Sequence, residues 1–116
     1  MKKYYVYLLA SRRNGTLYCG VTNNLIRRVW EHRNNEGVSF TSKYGVGLLV
    51  WYEEHHDINE AITRETRIKG WRRDWKLKLI EDANPQWCDL YDGLLPGPLI
   101  DPSRFKDGVL VRRPTK

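Results

Sequence analysis

Cysteine and methionine are scarce in this chain of 116 residues, with two of the first and one of the second. Cys19 and Cys88 are far apart, form no C-x-x-C pair and belong to no wider cysteine framework. That spacing excludes a disulfide-stapled secreted fold and a cysteine-built structural zinc site, and makes a reducing, cytoplasmic setting the expectation. No apolar run approaches the ~20 residues that a bilayer span requires, so no membrane span is expected. The opening YYVYLLA follows Lys2 and Lys3 but runs straight into Ser11, Arg12 and Arg13 without a small-residue cleavage site, and reads as a first strand rather than a leader. Proline is missing before residue 85, and all five prolines fall after residue 84. Internal repeats and low-complexity tracts are missing as well. At this length one modest core can form and two cannot.

What the chain does have is positive charge, unevenly placed. Twenty Lys and Arg against fourteen Asp and Glu give a formal charge of +6. All of that excess lies before residue 82, and it is densest over residues 64–78, where seven basic residues face two acidic ones and alternate with Trp71 and Trp75. Cations for phosphates beside aromatic planes for bases suit a binder of single-stranded or distorted nucleic acid. The plainer alternative is a solvated helix whose tryptophans belong to the core.

The element pattern is that of a small α+β domain. Residues 3–10 and 16–21 are rich in Tyr, Val and Leu and flank Asn14-Gly15, a strong hairpin signal. With a two- or four-residue loop, Tyr7 shares one sheet face with Tyr18 and Gly20. Leu25, Ile26, Val29 and Trp30 recur at helical spacing after a cap at Thr22 or Asn23, and Arg28 and His32 then stand one above the other. Residues 47–54 predict a third, central strand. Asp57 and Glu60 form a D-x-x-E capping box that opens a helix to about Lys69, and Gly70 separates it from another helix over Trp71 to about Asp82. The expected fold is therefore a three-stranded, mainly antiparallel sheet flanked by three helices. Residues 1–84 form the domain and residues 85–116 an irregular Pro/Gly-rich extension packed on it, with Leu94, Leu95, Leu99 and Ile100 too apolar for a free tail.

One residue breaks the pattern. Ile58, Ala61, Ile62 and Ile68 define an apolar stripe on the second helix, and Glu65 falls on the same stripe. A carboxylate there requires a partner, either a bound cation or an intrahelical ion pair with Lys69, Arg64 or Arg67. Tyr7, Tyr18, Arg28, His32 and Glu65 together suit phosphodiester hydrolysis: a phenol or imidazole to take a proton, a guanidinium for the non-bridging oxygens, a carboxylate for a hard cation. The run Glu53-Glu54-His55-His56-Asp57 looks like a metal cluster, but adjacent strand residues point to opposite faces, and it is expected to be a solvated strand end.

The order of these residues resembles the GIY-YIG nuclease superfamily, in particular its compact single-domain bacterial branch. The resemblance rests on Tyr5-Val6-Tyr7, on Tyr18-Cys19-Gly20 with its tyrosine eleven residues after Tyr7, and on Arg28-x-x-x-His32 beginning ten residues after Tyr18. It extends through AITRETRIKGWRRDWKLKLIE to Asn84-Pro85-x-Trp87. Two positions depart from the family pattern, Tyr5 for a glycine and Cys19 for an isoleucine, and neither removes a catalytic side chain.

The resemblance implies a metal-dependent endonuclease in which Glu65 holds one Mg²⁺ or Mn²⁺, with waters and the scissile phosphate completing the shell. Tyr7 or Tyr18 deprotonates the attacking water, His32 relays or accepts that proton, and Arg28 stabilises the transition state. Asn84 holds the site or a phosphate, although Asn-Pro is equally a turn initiator. Lys43, Arg67, Lys69, Trp71, Arg72, Arg73 and Lys76 are the expected nucleic-acid contacts. The chain is too short to carry a separate DNA-binding domain, so the expected partner is DNA in single-stranded, flapped or branched form, with RNA an open alternative. Two rival readings remain at this stage: a nucleic-acid-binding module of the same fold without turnover, and a protein-interaction domain built on the apolar C-terminal extension.

Overall fold

A computed structural model describes residues 2–34 and 45–95. Lys43 and the part of the extension beyond Leu95 lie outside the described residues. The first two strands, β1 (Tyr4–Ala10) and β2 (Leu17–Thr22), form the expected hairpin. In the turn, Gly15 donates its N–H to the Arg12 carbonyl at 2.9 Å, and Asn14 takes a positive φ of 59°, a conformation asparagine tolerates better than most residues. The register sets Tyr7 opposite Gly20 and Leu9 opposite Tyr18, which puts Tyr7, Tyr18 and Gly20 on one face.

Helix α1 (Leu25–Arg33) is capped by Asn24, whose side chain accepts from the Arg27 N–H at 3.1 Å. Thr22, one of the expected caps, instead accepts the Asn24 N–H at 3.1 Å and shapes the approach. Strand β3 (Leu48–His55) pairs antiparallel with β1, giving the order β2-β1-β3. This corrects the expectation of a central third strand: β1 is central and β3 is an edge. The cause is visible in burial, since Val6 through Ala10 are all buried, whereas β3 leaves Tyr52 and Glu54 exposed. A bulge opposite Leu8 and Leu9 leaves Val50 as the extra residue, so that Val50 and Trp51 both join the core of Val6 and Leu8.

Helices α2 (Ile58–Lys69) and α3 (Arg73–Ala83) cover that core with Ala61, Ile68 and Ile80. Asp57 caps α2 through the Asn59 N–H at 3.2 Å, while Glu60 faces His55 at 4.0 Å, so only half of the anticipated box forms. Of the anticipated apolar stripe only Ala61 and Ile68 are buried; Ile58 and Ile62 are exposed. Helix α3 begins two residues later than expected, because Gly70, Trp71 and Arg72 make the corner. On the opposite sheet face, α1 packs Leu25 and Val29 against Tyr7, Leu9 and Leu49.

A fourth helix, α4 (Tyr91–Leu94), lies in the segment read as irregular. The chain before it straps the outer edge of β3. Leu90 donates to the Leu49 carbonyl at 2.8 Å, and the Leu49 N–H donates to Asp89 at 3.2 Å. Arg33, at the end of α1, pairs with Asp89, donates to the Gly47 carbonyl at 2.9 Å and lies 4.4 Å over the Tyr91 ring. No described helix is long and apolar enough to cross a membrane.

Candidate active site

Three rings meet between β1, β2 and α1. The Tyr7 hydroxyl shares a 2.9 Å hydrogen bond with His32 Nε2, and both residues are 1% exposed. Tyr18 brings its ring to 4.9 Å from that of His32 and 6.3 Å from that of Tyr7. The Tyr7 ring crosses Gly20 so closely that a Cβ there would fall 2.5 Å from the hydroxyl oxygen. The glycine of the second motif is thus required by contact with a catalytic candidate.

Burial decides the protonation of this cluster. It raises the Tyr7 hydroxyl well above the usual phenol range, and the neighbouring Tyr18 adds to that, against the lowering influence of Arg28. Tyr7 is therefore protonated at neutral pH. Burial, and after it Arg28, lowers the His32 imidazole to about 4, so this ring is neutral. Arg28 itself loses something to burial, but its hydrogen bonds to Glu31 and Tyr7 hold its charge above the usual guanidinium range. Its Nη1 lies 2.9 Å from the Glu31 carboxylate, a partner that the R-x-x-E spacing would have suggested and that was not anticipated.

Glu65 approaches the same edge of the sheet from α2. Its side chain is 13% exposed and pairs with Lys69 Nζ at 2.6 Å, the intrahelical alternative weighed from the sequence. Its charge acts on Cys19, whose thiol is raised to about 11, first by burial and then by Glu65. The Lys69 ammonium is held above its usual range by Glu65 and is also influenced by Cys19 and Tyr18. Tyr18 thus stands between the ring cluster on one side of β2 and the Glu65–Lys69 pair on the other.

Asn84 is placed elsewhere. Its amide nitrogen donates to the carbonyls of Val50 at 3.1 Å and Cys88 at 2.9 Å, and its oxygen accepts from the Cys88 N–H at 3.0 Å. Those bonds tie the end of α3 to β3. Glu53 and His55 pair at 2.8 Å and Glu54 and His56 at 3.3 Å, as separate couples. Among the described residues no group of three or more His, Cys, Asp and Glu is arranged to hold a metal ion.

The basic segment divides by partner. Arg64 is bound to Glu53 at 3.0 Å, and Arg73 donates to the carbonyls of Asn14 and Gly15 at 2.8 and 2.7 Å. Lys78 pairs with Asp82 at 3.3 Å. Arg72 lies 5.2 Å over the ring of Trp75 and, with both side chains well exposed, 3.4 Å from Asp74. Arg67 and Lys76 have no ion-pair partner among the described residues. Trp71 packs on the core, whereas Trp75 is half-exposed.

A model of the GIY-YIG catalytic domain matches residues 3–78. The chain belongs to this nuclease family, and membership implies nuclease activity in general. Its relatives there are UPF0213 proteins. That of Staphylococcus haemolyticus is 37% identical over 71% of this chain and 99% of its own length. That of Clostridium perfringens is 41% identical over 69% of this chain and 85% of its own. The solution NMR structure of a UPF0213 protein from Bacillus halodurans covers 73% of this chain and 89% of that one, at 27% identity and a TM-score of 0.48.

Proposed function

We propose that this chain is a divalent-metal-dependent endonuclease that hydrolyses DNA phosphodiester bonds in single-stranded, flapped or branched substrates, as repair, recombination or DNA uptake would require. The observation that carries the proposal is the Tyr7–His32–Tyr18 cluster beside Arg28, facing the edge of β2 that Glu65 approaches from the other side. The two free cysteines are in keeping with a cytoplasmic setting.

The donor chemistry fits one hard cation. A carboxylate with no cluster of acid or imidazole ligands around it among the described residues suits Mg²⁺ or Mn²⁺, which keep several waters and take other oxygens from phosphate. Bound there, the ion would supply charge stabilisation to the transition state and the departing oxygen. Glu65 would hold it, which would free Lys69, the present partner of that carboxylate, for the phosphate.

Tyr7 is too strongly held in its protonated form to serve as base, and its hydrogen bond fixes the His32 ring. Tyr18 is therefore the phenol assigned to the attacking water: the water's proton passes to its oxygen as its own proton passes to His32 Nδ1, in the tautomer whose Nε2–H donates to the Tyr7 oxygen. A phosphate bound at Arg28 cancels the guanidinium charge that, after burial, depresses His32, and so raises the proton affinity of the ring in the substrate complex. Arg28 exchanges Glu31 for the non-bridging oxygens. Asn84 acts by holding α3 against β3.

Cleavage of end-labelled single-stranded, duplex and branched DNA tests this reading. Cutting is expected with Mg²⁺ or Mn²⁺, not with EDTA, and Glu65→Gln should slow it at least ~100-fold while leaving binding intact. Undiminished cutting by that variant would remove Glu65 from the reaction, and faster cutting of intact duplex would remove the substrate preference. A second reading, a binding module without turnover, is favoured by one observation: both Glu65 and Arg28 are paired within the fold. It predicts salt-sensitive DNA binding and no cleavage of any substrate.

A further inference from the structure

We infer that Trp75, with Arg72, forms a base-stacking site for an unpaired nucleotide next to the cleavage edge; the inference rests on the nucleic-acid reading above and names how single-stranded DNA is held. Trp75 is 50% exposed, although it sits in a helix that packs on the core. A single exposed apolar residue is ordinary. Here, however, the indole is part of a built array. Trp71 meets it edge-on at 6.0 Å with planes 77° apart, and Trp71 is in turn packed on the core and lies 5.5 Å from the Arg64 guanidinium. The exposed ring is therefore fixed by a ring that is itself fixed, which lowers the entropy lost when a base stacks on it.

Charge completes the site. Arg72 stands 5.2 Å over the Trp75 ring, held only by an exposed and stretched pair with Asp74, so it can turn to a phosphate or cover a stacked base. Lys76, the next residue along, has no ion-pair partner among the described residues. Two other cations of the segment are committed: Arg64 to Glu53, Arg73 to the hairpin carbonyls.

Position links this array to the reaction. Arg73 binds the carbonyls of Asn14 and Gly15, and so pins the first turn of α3 beside the start of β2, three residues before Tyr18. Lys76 lies close enough to Cys19, the neighbour of Tyr18, to influence its thiol. A strand whose phosphate reaches Arg28 and Glu65 thus passes within a few nucleotides of Trp75. A nucleobase stacked on a tryptophan requires that it be unpaired, which makes this site a reader of single-stranded character rather than of sequence.

The test compares labelled ten-nucleotide oligothymidine, an abasic oligomer of the same length and a blunt hairpin duplex, binding the full chain in EDTA. Trp75→Ala should weaken oligothymidine binding roughly 5- to 150-fold per stacked base and leave the abasic oligomer and the hairpin unchanged. Trp75→Phe should recover much of the loss, and Arg72→Ala should weaken the abasic oligomer as well. Unchanged oligothymidine binding by Trp75→Ala, or an equal loss on the abasic oligomer, would overturn the inference, and so would a parent chain that binds none of the three. The metal-dependent cleavage assay of the parent separates the two ideas: cutting without a base-dependent Trp75 effect sinks only the stacking site, and a base-dependent effect without cutting sinks only the nuclease reading.

Discussion

His32 shows how much a single buried ring contributes to pH behaviour. Burial and Arg28 lower it from 6.5 to about 4, so the unfolded chain takes up its proton first as the pH falls. Its contribution is fully present above pH 6.5 and is lost between pH 6.5 and 4, to a total of about 3 kcal/mol. Denaturant titrations between pH 7 and 4 should show a smaller loss of stability for His32→Gln than for the parent. Gly20→Ala should cost about 1–3 kcal/mol, because its methyl group meets the buried Tyr7 ring, and should disturb the Tyr7–His32 bond as well; thermal unfolding would measure the first effect. These residues were legible in advance. The Asn-Gly turn set the parity that joins Tyr7, Tyr18 and Gly20, and Glu65 announced itself as a carboxylate on an apolar stripe. The 2.6 Å contact of Glu65 with Lys69 was one of two alternatives that helical spacing could not decide between.

At the level of elements, the helices and strands before Asn84 followed from periodicity, and the strand order and α4 did not. Side-chain pattern reports burial, and Leu48–His55 begins as apolar as β1; only its exposed Tyr52 and Glu54 mark it as an edge. The strap was equally hidden, since the Arg33–Asp89 pair joins residues 56 apart in the chain and neither has a local signature. Asp89 answers Arg33, the Leu49 N–H and the Tyr91 N–H together. Asp89→Ala should therefore destabilise the fold by about 2 kcal/mol in chemical denaturation. A larger relative loss in cleavage than in stability would show that this clamp also aligns the end of α1, where His32 sits.

For the molecule as a whole, the excess of positive charge predicted a polyanionic partner, but composition could not say which cations are available to it. The fold makes that division: Arg64, Arg73 and Lys78 are occupied with its own acceptors, and Arg67 and Lys76 have no ion-pair partner among the described residues. DNA affinity should fall steeply with salt, and Lys76→Ala should reduce the slope of log K against log salt by about 0.7 on single strands, whereas Arg73→Ala should lower stability instead. Resemblance brought the family into view from several short motifs and their spacing, and the matched region, residues 3–78, ends before the strap begins. That boundary gives the edge of β3 an additional meaning. The amide hydrogen of Leu49 is held by a carboxylate that arrives from outside the matched region, so its rate of exchange with deuterated solvent is a clock for the strap's opening. A chain cut before Asp89 would leave that hydrogen to exchange at the rate of an uncovered strand edge.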